Sequence, residues 1–189
     1  MTKIGIIIAS TRPGRLGESV GKWVLDQAVR HGGADYELVD LRDFELPHLD
    51  EELPAAAGQY SRPHTNRWAE KIDSLDGFVF VVPEYNHGMP GVLKTALDFL
   101  YTEWNDKAAG FVGYGVDGAP RSISQLRAIM GFLKIADVRT PVGLSLYTDF
   151  VDMKELKPDA RHETSIQAML DEVLAWSGAL AALRARAAA

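Results

Sequence analysis

The sequence predicts an α/β fold in which a doubly wound sheet of five parallel strands carries helices on both faces. Two observations predict it. Segments of strand character alternate five times with helical patterns along the 189 residues, and the clearest of them, Ile4–Ala9 and Gly77–Val82, are continuous apolar runs. Such runs are typical of strands covered on both faces, as in parallel sheets. Since nothing interrupts the alternation, we predict a single domain over residues 1–189.

The first half of the chain supplies three strands and two helices. Besides the two apolar runs, a short strand is predicted at Tyr36–Leu41, and helices are predicted at Glu18–Val29 and Thr65–Leu75. Both helices carry apolar residues at helical spacing, and a His-Gly-Gly sequence ends the first one. Prolines, acids and small residues from Phe44 to Pro63 indicate a long loop.

The second half continues the alternation. It predicts, in order, the helix Gly91–Trp104, the strand Ala108–Tyr114, the helix Pro120–Leu133, the strand Val138–Leu146 and the helix His162–Leu183. The last strand is the most polar and is expected near an edge of the sheet. The helix beginning at Gly91 has a wider apolar face than one side of a sheet should need, so we expect a homo-oligomer with this helix at an interface.

Composition excludes several classes of protein. With no cysteine, the chain cannot hold disulfides, zinc-thiolate sites or iron–sulfur clusters, and its net charge of −6 argues against nucleic-acid binding. The apolar start is shorter than the roughly 7–15 residues of a signal peptide core, and no run approaches the roughly 20 residues of a membrane span. We therefore predict a cytoplasmic protein without a membrane partner. The Ala-rich end, residues 180–189, is expected to be a fraying helix without function.

The junction after the first strand predicts an anion site. Hydroxyls of Ser10 and Ser19 and guanidinium groups of Arg12 and Arg15 precede or begin a helix, whose N-terminus attracts negative charge. A helix cap with surface arginines is the simpler interpretation, but placement directly after the first strand favours a phosphate, because ligands of such sheets bind at the carboxyl ends of the strands. The glycine spacing and a Trp at the magnesium-binding position exclude a Walker A loop.

The junction after the third strand has the sequence PEYNHGMPG. Tyr85 offers an aromatic face and a hydroxyl, Asn86 offers an amide, and Gly88 lets the backbone approach a ligand. A flat heterocycle with donors and acceptors on its edge would use all of these groups. The alternatives are a stiff turn with a surface tyrosine and, for His87, a simply solvated side chain.

The junction after the fourth strand, GYGVDGAPR, matches the dinucleotide-binding pattern G-x-G-x-x-G through Gly113, Gly115 and Gly118, and Asp137 lies about twenty residues on. We reject an NAD-binding Rossmann site because that pattern opens the first βαβ unit and needs several strands after it. Here one convincing strand remains. We expect these glycines to let a third loop lie close to a flat ligand.

Three loops at one sheet edge, one for a phosphate and two for a ring, describe a flavodoxin-like FMN site. The residues resemble the NADPH-dependent FMN reductases, which include quinone, azo-dye and chromate reductases. The most specific piece is PEYNHGMPGVLKTALD, which resembles P-E-Y-N-x-x-x-P-G-x-L-K-N-A-x-D with Thr95 in place of Asn. The start IIIASTRPGR resembles a G-S-x-R phosphate loop with Ala9 in place of Gly, and VDLRDFELP resembles the second-strand exit. The fourth junction departs most, since Ala119-Pro120 replaces a Gly of S-x-G-G-x-x-G-G-x-R while Arg121 is kept.

The resemblance implies a set of site residues. It implies that Ser10, Arg12, Arg15 and Ser19, with backbone amides around Val20, hold the FMN phosphate. It further implies that the isoalloxazine is lined by Pro83, Glu84, Tyr85, Asn86 and His87 and approached by Gly115. Members of the family work as dimers or tetramers.

The expected function is an FMN-dependent oxidoreductase that takes a hydride from NADPH or NADH and passes electrons to a small acceptor such as a quinone, azo dye, chromate or free flavin. The flavin carries the chemistry, so no side chain need be catalytic, and no metal is expected. The alternative is a flavodoxin-like electron carrier, although carriers of that kind are usually much more acidic. A phospho-receiver domain is set aside because Ala9-Ser10 and Pro83-Glu84 stand where it needs acidic residues after the first strand and an Asp after the third.

Overall fold

The structure is a computed structural model that describes residues 1–187, and its central feature is a parallel sheet. The strands follow the order β2-β1-β3-β4-β5, and β6 also pairs with β4. The strands are β1 (Lys3–Ile8), β2 (Asp35–Asp40), β3 (Gly77–Pro83), β4 (Ala108–Gly115), β5 (Ala136–Asp137) and β6 (Val142–Ser145). All pairings in this sheet are parallel. The predicted doubly wound α/β fold is confirmed.

Helices cover both faces of the sheet. They are α1 (Gly17–His31), α2 (Pro63–Asp73), α3 (Gly91–Asp98), α4 (Pro120–Phe132) and α5 (Arg161–Ala187). One buried cluster joins α2, α3 and α4 to the sheet, and a second joins α1 and α5 to its other face. Alternate residues of β3 feed the two clusters, with Phe80 in the first and Val81 in the second, which explains why the whole strand is apolar.

The last predicted strand is interrupted. Instead of one strand over Val138–Leu146, two short pieces, β5 and β6, pair with the beginning and the end of β4. Pro141 lies in the gap between them, and a proline has no amide to donate to the ladder. A small antiparallel hairpin follows, formed by β7 (Phe150–Val151) and β8 (Glu155–Leu156), which the sequence did not predict.

The predicted helix Gly91–Trp104 was too long, because α3 ends at Asp98 and a separate 3-10 turn covers Thr102–Trp104. The indole groups of Trp68 and Trp104 donate to the carbonyls of Ala96 and Leu97, at 2.8 and 3.2 Å. The Ala96 carbonyl lies in the last helical turn, where carbonyls lack an intrahelical partner, and the Leu97 carbonyl also accepts from the Leu100 amide at 3.4 Å as the chain turns inward. Most of the wide apolar face is therefore buried in the core of the same chain. The wide apolar face of this helix was the reason for predicting an interface, and that reason is wrong for the residues that are buried.

Helix α5 is long enough and apolar enough, over Arg161–Arg186, to satisfy the length and composition of a membrane span. Four of its apolar residues have no exposed surface and belong to the core of this domain: Ile166, Met169, Leu170 and Val173. Burial of that stripe is what a core helix requires. The predicted fraying of the Ala-rich end concerns in part residues 188–189, which lie outside the described residues.

Candidate active site at the carboxyl edge of the sheet

The three junctions singled out in the sequence meet at one edge of the sheet. Strand β3 pairs with β1 on one side and with β4 on the other, so the loops that follow these three strands lie side by side. A cavity of about 100 Å³ opens between them. It is lined by Arg12, Leu16, Pro83, Glu84, Tyr85, Tyr114, Gly115 and Leu146. This edge is where ligands of doubly wound sheets bind.

The loop after β1 presents donors at the start of α1. Within residues 1–187, no side chain caps this helix at Leu16, and the first intrahelical bond runs from the Val20 amide to the Leu16 carbonyl at 3.2 Å. The Val20 amide is therefore occupied, while the amides of Gly17 to Ser19 precede that bond and are free of the helical ladder. Ser19 turns its hydroxyl back to the same carbonyl, at 2.8 Å.

Arg12 and Arg15 have different surroundings. Arg12 is exposed, and its guanidinium makes no hydrogen bond or ion pair within the described part of the chain. Arg15 is buried, and it binds both carboxylate oxygens of Asp40 at the end of β2 and the carbonyl of Ser10. Burial opposes ionisation of Asp40, but hydrogen bonds from Arg15 and the Arg42 amide outweigh it and lower the pKa of that carboxyl group. The prediction from the sequence assigned both arginines to the phosphate.

The loop after β3 is a tight hairpin whose two central residues have left-handed backbones. Asn86 and His87 have φ of 50° and 64°, and the amides and carbonyls of Tyr85 and Gly88 exchange hydrogen bonds of 2.9 and 3.0 Å. Positive φ at both central positions is the signature of a type I′ turn. Gln125 of α4 fixes it from outside by accepting from the Met89 amide at 3.0 Å and donating to the His87 carbonyl at 3.3 Å. Gln125 was not identified from the sequence.

The pairing of Glu84 with Arg121 links the loop after β3 to the loop after β4. The Glu84 carboxylate accepts from the Arg121 amide at 2.9 Å and from its guanidinium at 2.8 Å. Partial burial raises the pKa of Glu84, but these hydrogen bonds prevail and lower it overall. Ser122 adds a hydrogen bond of 2.9 Å to the Pro83 carbonyl. The Glu84 side chain is thus engaged at the start of α4, and Glu84 also lines the cavity.

The glycines after β4 serve close backbone packing. A Cβ on Gly113 would lie 2.2 Å from the Gly118 carbonyl oxygen, and Gly118 itself has φ of 75°. These contacts explain the G-x-G-x-x-G spacing without a dinucleotide. The Gly115 carbonyl accepts from the Leu146 amide at 2.8 Å, which holds the loop after β6 against the cavity.

Tyr114 is a site residue that sequence reasoning missed. Of the four buried side-chain nitrogen or oxygen atoms without a hydrogen-bond partner in the described residues, two lie here, the Tyr114 hydroxyl and the Arg15 Nε. The phenol oxygen packs under the first turn of α1, where a Cβ on Gly17 would approach it to 2.6 Å. Burial raises the pKa of this phenol, so it remains a donor. Tyr114 lies on β4, two strands away from the loop after β1, so the sequence alone does not show that the two are in contact.

The arrangement has an electropositive end and a flat end. At the first, Arg12, the start of α1 and the Tyr114 hydroxyl suit a small anion. At the second, Pro83, Glu84 and Tyr85 after β3 and Gly115 after β4 line the cavity. Within residues 1–187, no group of acidic or histidine side chains has the arrangement of a metal site.

The strand order and the location of this site define the class as a flavodoxin-like fold. A profile of the NADPH-dependent FMN reductase family matches residues 2–149, and the chain belongs to that family. An NAD(P)H-dependent FMN reductase of Schizosaccharomyces pombe is 44% identical over 149 residues, which cover 78% of this chain and 74% of the relative. An NAD(P)H:quinone oxidoreductase of Solanum tuberosum is 36% identical over 113 residues, 58% of this chain and 56% of the relative.

Solved structures support the fold. The flavoenzyme NAD(P)H:(acceptor) oxidoreductase of Paracoccus denitrificans superposes with a TM-score of 0.73 at 21% identity, covering 94% of this chain and 98% of the other. The expectation of an FMN-dependent enzyme that uses a pyridine nucleotide, rather than an electron carrier, is confirmed at the level of the family.

Proposed function

We propose that the protein oxidises NAD(P)H through FMN held at this sheet edge. The FMN phosphate lies at the loop after β1, and the ring lies between the loops after β3 and β4. The observation that carries the proposal is a pair of buried polar atoms beside the loop after β1, the Tyr114 hydroxyl and the Arg15 Nε, which have no hydrogen-bond partner within residues 1–187. A buried polar group without a partner costs about 1–3 kcal/mol. A phosphate at the start of α1, held by Arg12 and Ser10 with the free amides of α1, would bring acceptor oxygens to this region.

The dimensions fit a cofactor that is only partly enclosed. The cavity of about 100 Å³ has room for a phosphate, whereas small-molecule sites usually measure at least about 300 Å³. We therefore place the ring outside this cavity, over the residues Pro83 to His87 and Gly115. An open ring face is what a reductase requires, because NAD(P)H and the electron acceptor must both reach it.

The two arginines receive different roles in this proposal. Arg12 is the charge that pairs with the phosphate, and Arg15 acts mainly by fixing the loop to Asp40. Glu84 likewise acts through Arg121, and this ion pair keeps the loops after β3 and β4 at a constant separation. Asn86, His87 and Ser19 are retained as contacts with the cofactor or its entrance.

When bound, FMN supplies the redox chemistry, accepting a hydride from NAD(P)H and delivering electrons to a small molecule such as a quinone, azo dye, chromate or free flavin. The chain contributes alignment, and small displacements from a reactive geometry are costly. The direct test is steady oxidation of NADPH with a quinone by the FMN-loaded protein, compared with the same protein stripped of FMN. Activity that does not depend on FMN would overturn the proposal.

The phosphate assignment has its own test. Arg12→Ala should weaken binding of FMN about ten- to hundredfold, the worth of a charged hydrogen bond, and leave binding of riboflavin nearly unchanged. Arg30→Ala, an exposed arginine at the far end of α1, is the matched control. Equal losses for both flavins would contradict the assignment.

We also propose that the protein is a cytoplasmic homo-oligomer, a dimer or a tetramer. Support for assembly comes from an apolar groove of about 470 Å³ between α3, α4 and the turn at Ala55–Ala57. Phe132 is 76% exposed at its rim and packs edge-on against Tyr101 with ring centroids 5.9 Å apart. We propose that the same groove of a second copy of the chain covers this apolar surface. The absence of cysteine supports a reducing compartment.

A further inference from the structure

A second, larger cleft lies on the side of the loop after β4 that is opposite the proposed flavin site. Its volume is about 760 Å³, within the range of small-molecule sites. It is lined by Asp117, Gly118, Pro120, Ile123, Ser124, Arg127, Asp137, Arg139, Pro141 and Gly143. Apart from Asp117, Gly118 and Pro120 of the loop after β4, none of the lining residues belongs to a motif that indicates the flavin site.

The cleft and the flavin site are separated by a single turn. Gly115 lines the flavin site, Gly118 lines the cleft, and the Gly118 amide donates to the Gly115 carbonyl at 3.4 Å. The ends of a four-residue turn lie within about 7 Å of each other. A ligand that begins over the flavin ring and is longer than the ring can therefore pass over this turn into the cleft.

One positive charge in the cleft is left over after its neighbours are paired. Asp137 is bound by Arg127, and Asp117 lies 3.4 Å from the guanidinium of Arg121. The Arg139 side chain is exposed and makes no hydrogen bond or ion pair within residues 1–187, although its charge helps to lower the pKa of the neighbouring Glu172. Arg139 is thus the group available to an anionic ligand.

The walls of the cleft are held in place. Arg127 stacks on Phe111 with its guanidinium carbon 5.1 Å from the ring centroid and donates to the Arg139 carbonyl at 3.0 Å. Glu172 of α5 accepts from the Arg139 and Thr140 amides at 2.8 and 3.2 Å. The surface between these supports is apolar, formed by Pro120, Ile123 and Pro141. An aromatic group can lie on it while a phosphate faces Arg139.

We propose that this cleft binds the adenosine phosphate half of NAD(P)H, with the purine on the proline and isoleucine surface and a phosphate at Arg139. This inference rests on the proposed function, because the nicotinamide half must lie over FMN. The co-substrate is the ligand with the matching chemistry, since it joins a nicotinamide to a purine through phosphates. Simple quinones carry no such second half.

The test compares two hydride donors. Reduced nicotinamide mononucleotide has the nicotinamide and one phosphate but no adenosine half. Arg139→Ala should raise KM for NADPH by about fivefold or more, since a charged hydrogen bond at an exposed site is lost, and should change KM for the mononucleotide by less than about twofold. Ser124→Trp, which fills the cleft from the exposed face of α4, should have the same selective effect. Arg30→Ala, with the same change in net charge, is the control.

The outcomes separate this inference from the proposed function. A larger effect on NADPH than on NADH would place the 2′-phosphate at Arg139, and equal effects would place the pyrophosphate there; both support the site. Unchanged KM values for NADPH and NADH in both variants would overturn it, as would equal changes for the dinucleotides and the mononucleotide. Reduction of bound FMN by the mononucleotide in the wild-type protein would show that the proposed function stands in either case.

Discussion

The hydroxyls of Ser10 and Tyr85 lie 2.7 Å apart, and this hydrogen bond joins the first loop to the third. Ser10 also accepts from the Arg12 amide at 3.3 Å, so one serine connects the loop after β1, proposed to hold the phosphate, to the loop after β3, proposed to border the ring. The two halves of the proposed cofactor site are consequently not independent. A change at either hydroxyl should affect both.

The first prediction uses this pair in a double-mutant cycle. Ser10→Ala and Tyr85→Phe should each weaken FMN binding, and the double variant should be about 1 kcal/mol less impaired than the sum of the two, because both remove the same hydrogen bond. Affinities are measured by flavin fluorescence titration. Tyr36→Phe, whose hydroxyl binds the Gly32 carbonyl at the other end of the sheet, is the control. Strict additivity would mean that the bond does not couple the loops.

The second prediction separates the roles of the arginines. Arg15→Ala should destabilise the fold by about 3 kcal/mol, because it leaves Asp40 partly buried without its cation, whereas Arg12→Ala should change stability by less than about 0.5 kcal/mol. Urea unfolding at neutral pH measures both. Similar stabilities for the two variants would contradict the assignment of Arg15 to the framework.

The same ion pair has a pH signature. The pKa of Asp40 is lowered in the folded protein, so the stabilisation is complete above the unfolded value near 4 and is lost as the pH falls below it. Asp40→Asn should therefore be less stable than wild type at pH 7, and the difference should shrink as the pH falls below about 4. A constant difference would show that Asp40 acts other than by its charge.

The third prediction concerns His87. Because its backbone is left-handed, with φ of 64°, His87→Asn and His87→Gly are better probes than alanine. Each should change the rate with a quinone or dye while leaving anaerobic reduction of bound FMN by NADPH within about tenfold. Stopped-flow measurement separates the two half-reactions. Abolished reduction with FMN still bound would reveal a catalytic group on this loop.

The fourth prediction concerns assembly. Phe132→Glu places a charge at the rim of the apolar groove and should convert the oligomer to a monomer near 20.8 kDa at micromolar concentration. Trp176→Glu, at an exposed aromatic on α5, is the control and should leave assembly intact. Sedimentation that finds the wild type already monomeric would refute the proposed oligomer.

The sequence predicted those parts of the fold that depend on local pattern. The apolar runs located β1, β3 and β4 to within about two residues, since strands covered on both faces must be apolar throughout. The end of α3 could not be predicted, because it depends on the indole groups of Trp68 and Trp104 reaching its carbonyls. The role of Arg15 depends on Asp40, and that of Tyr114 on Gly17, and both contacts form between elements that are distant in the sequence.

The most direct test of the central claim is the anaerobic absorbance spectrum of the FMN-loaded protein during addition of NADPH. We expect the flavin bands to bleach completely with one equivalent of NADPH and to return when a quinone is added. Flavin bands that remain unchanged with both NADPH and NADH, while FMN stays bound, would contradict the assignment of this sheet edge as the site of an FMN-dependent NAD(P)H oxidoreductase.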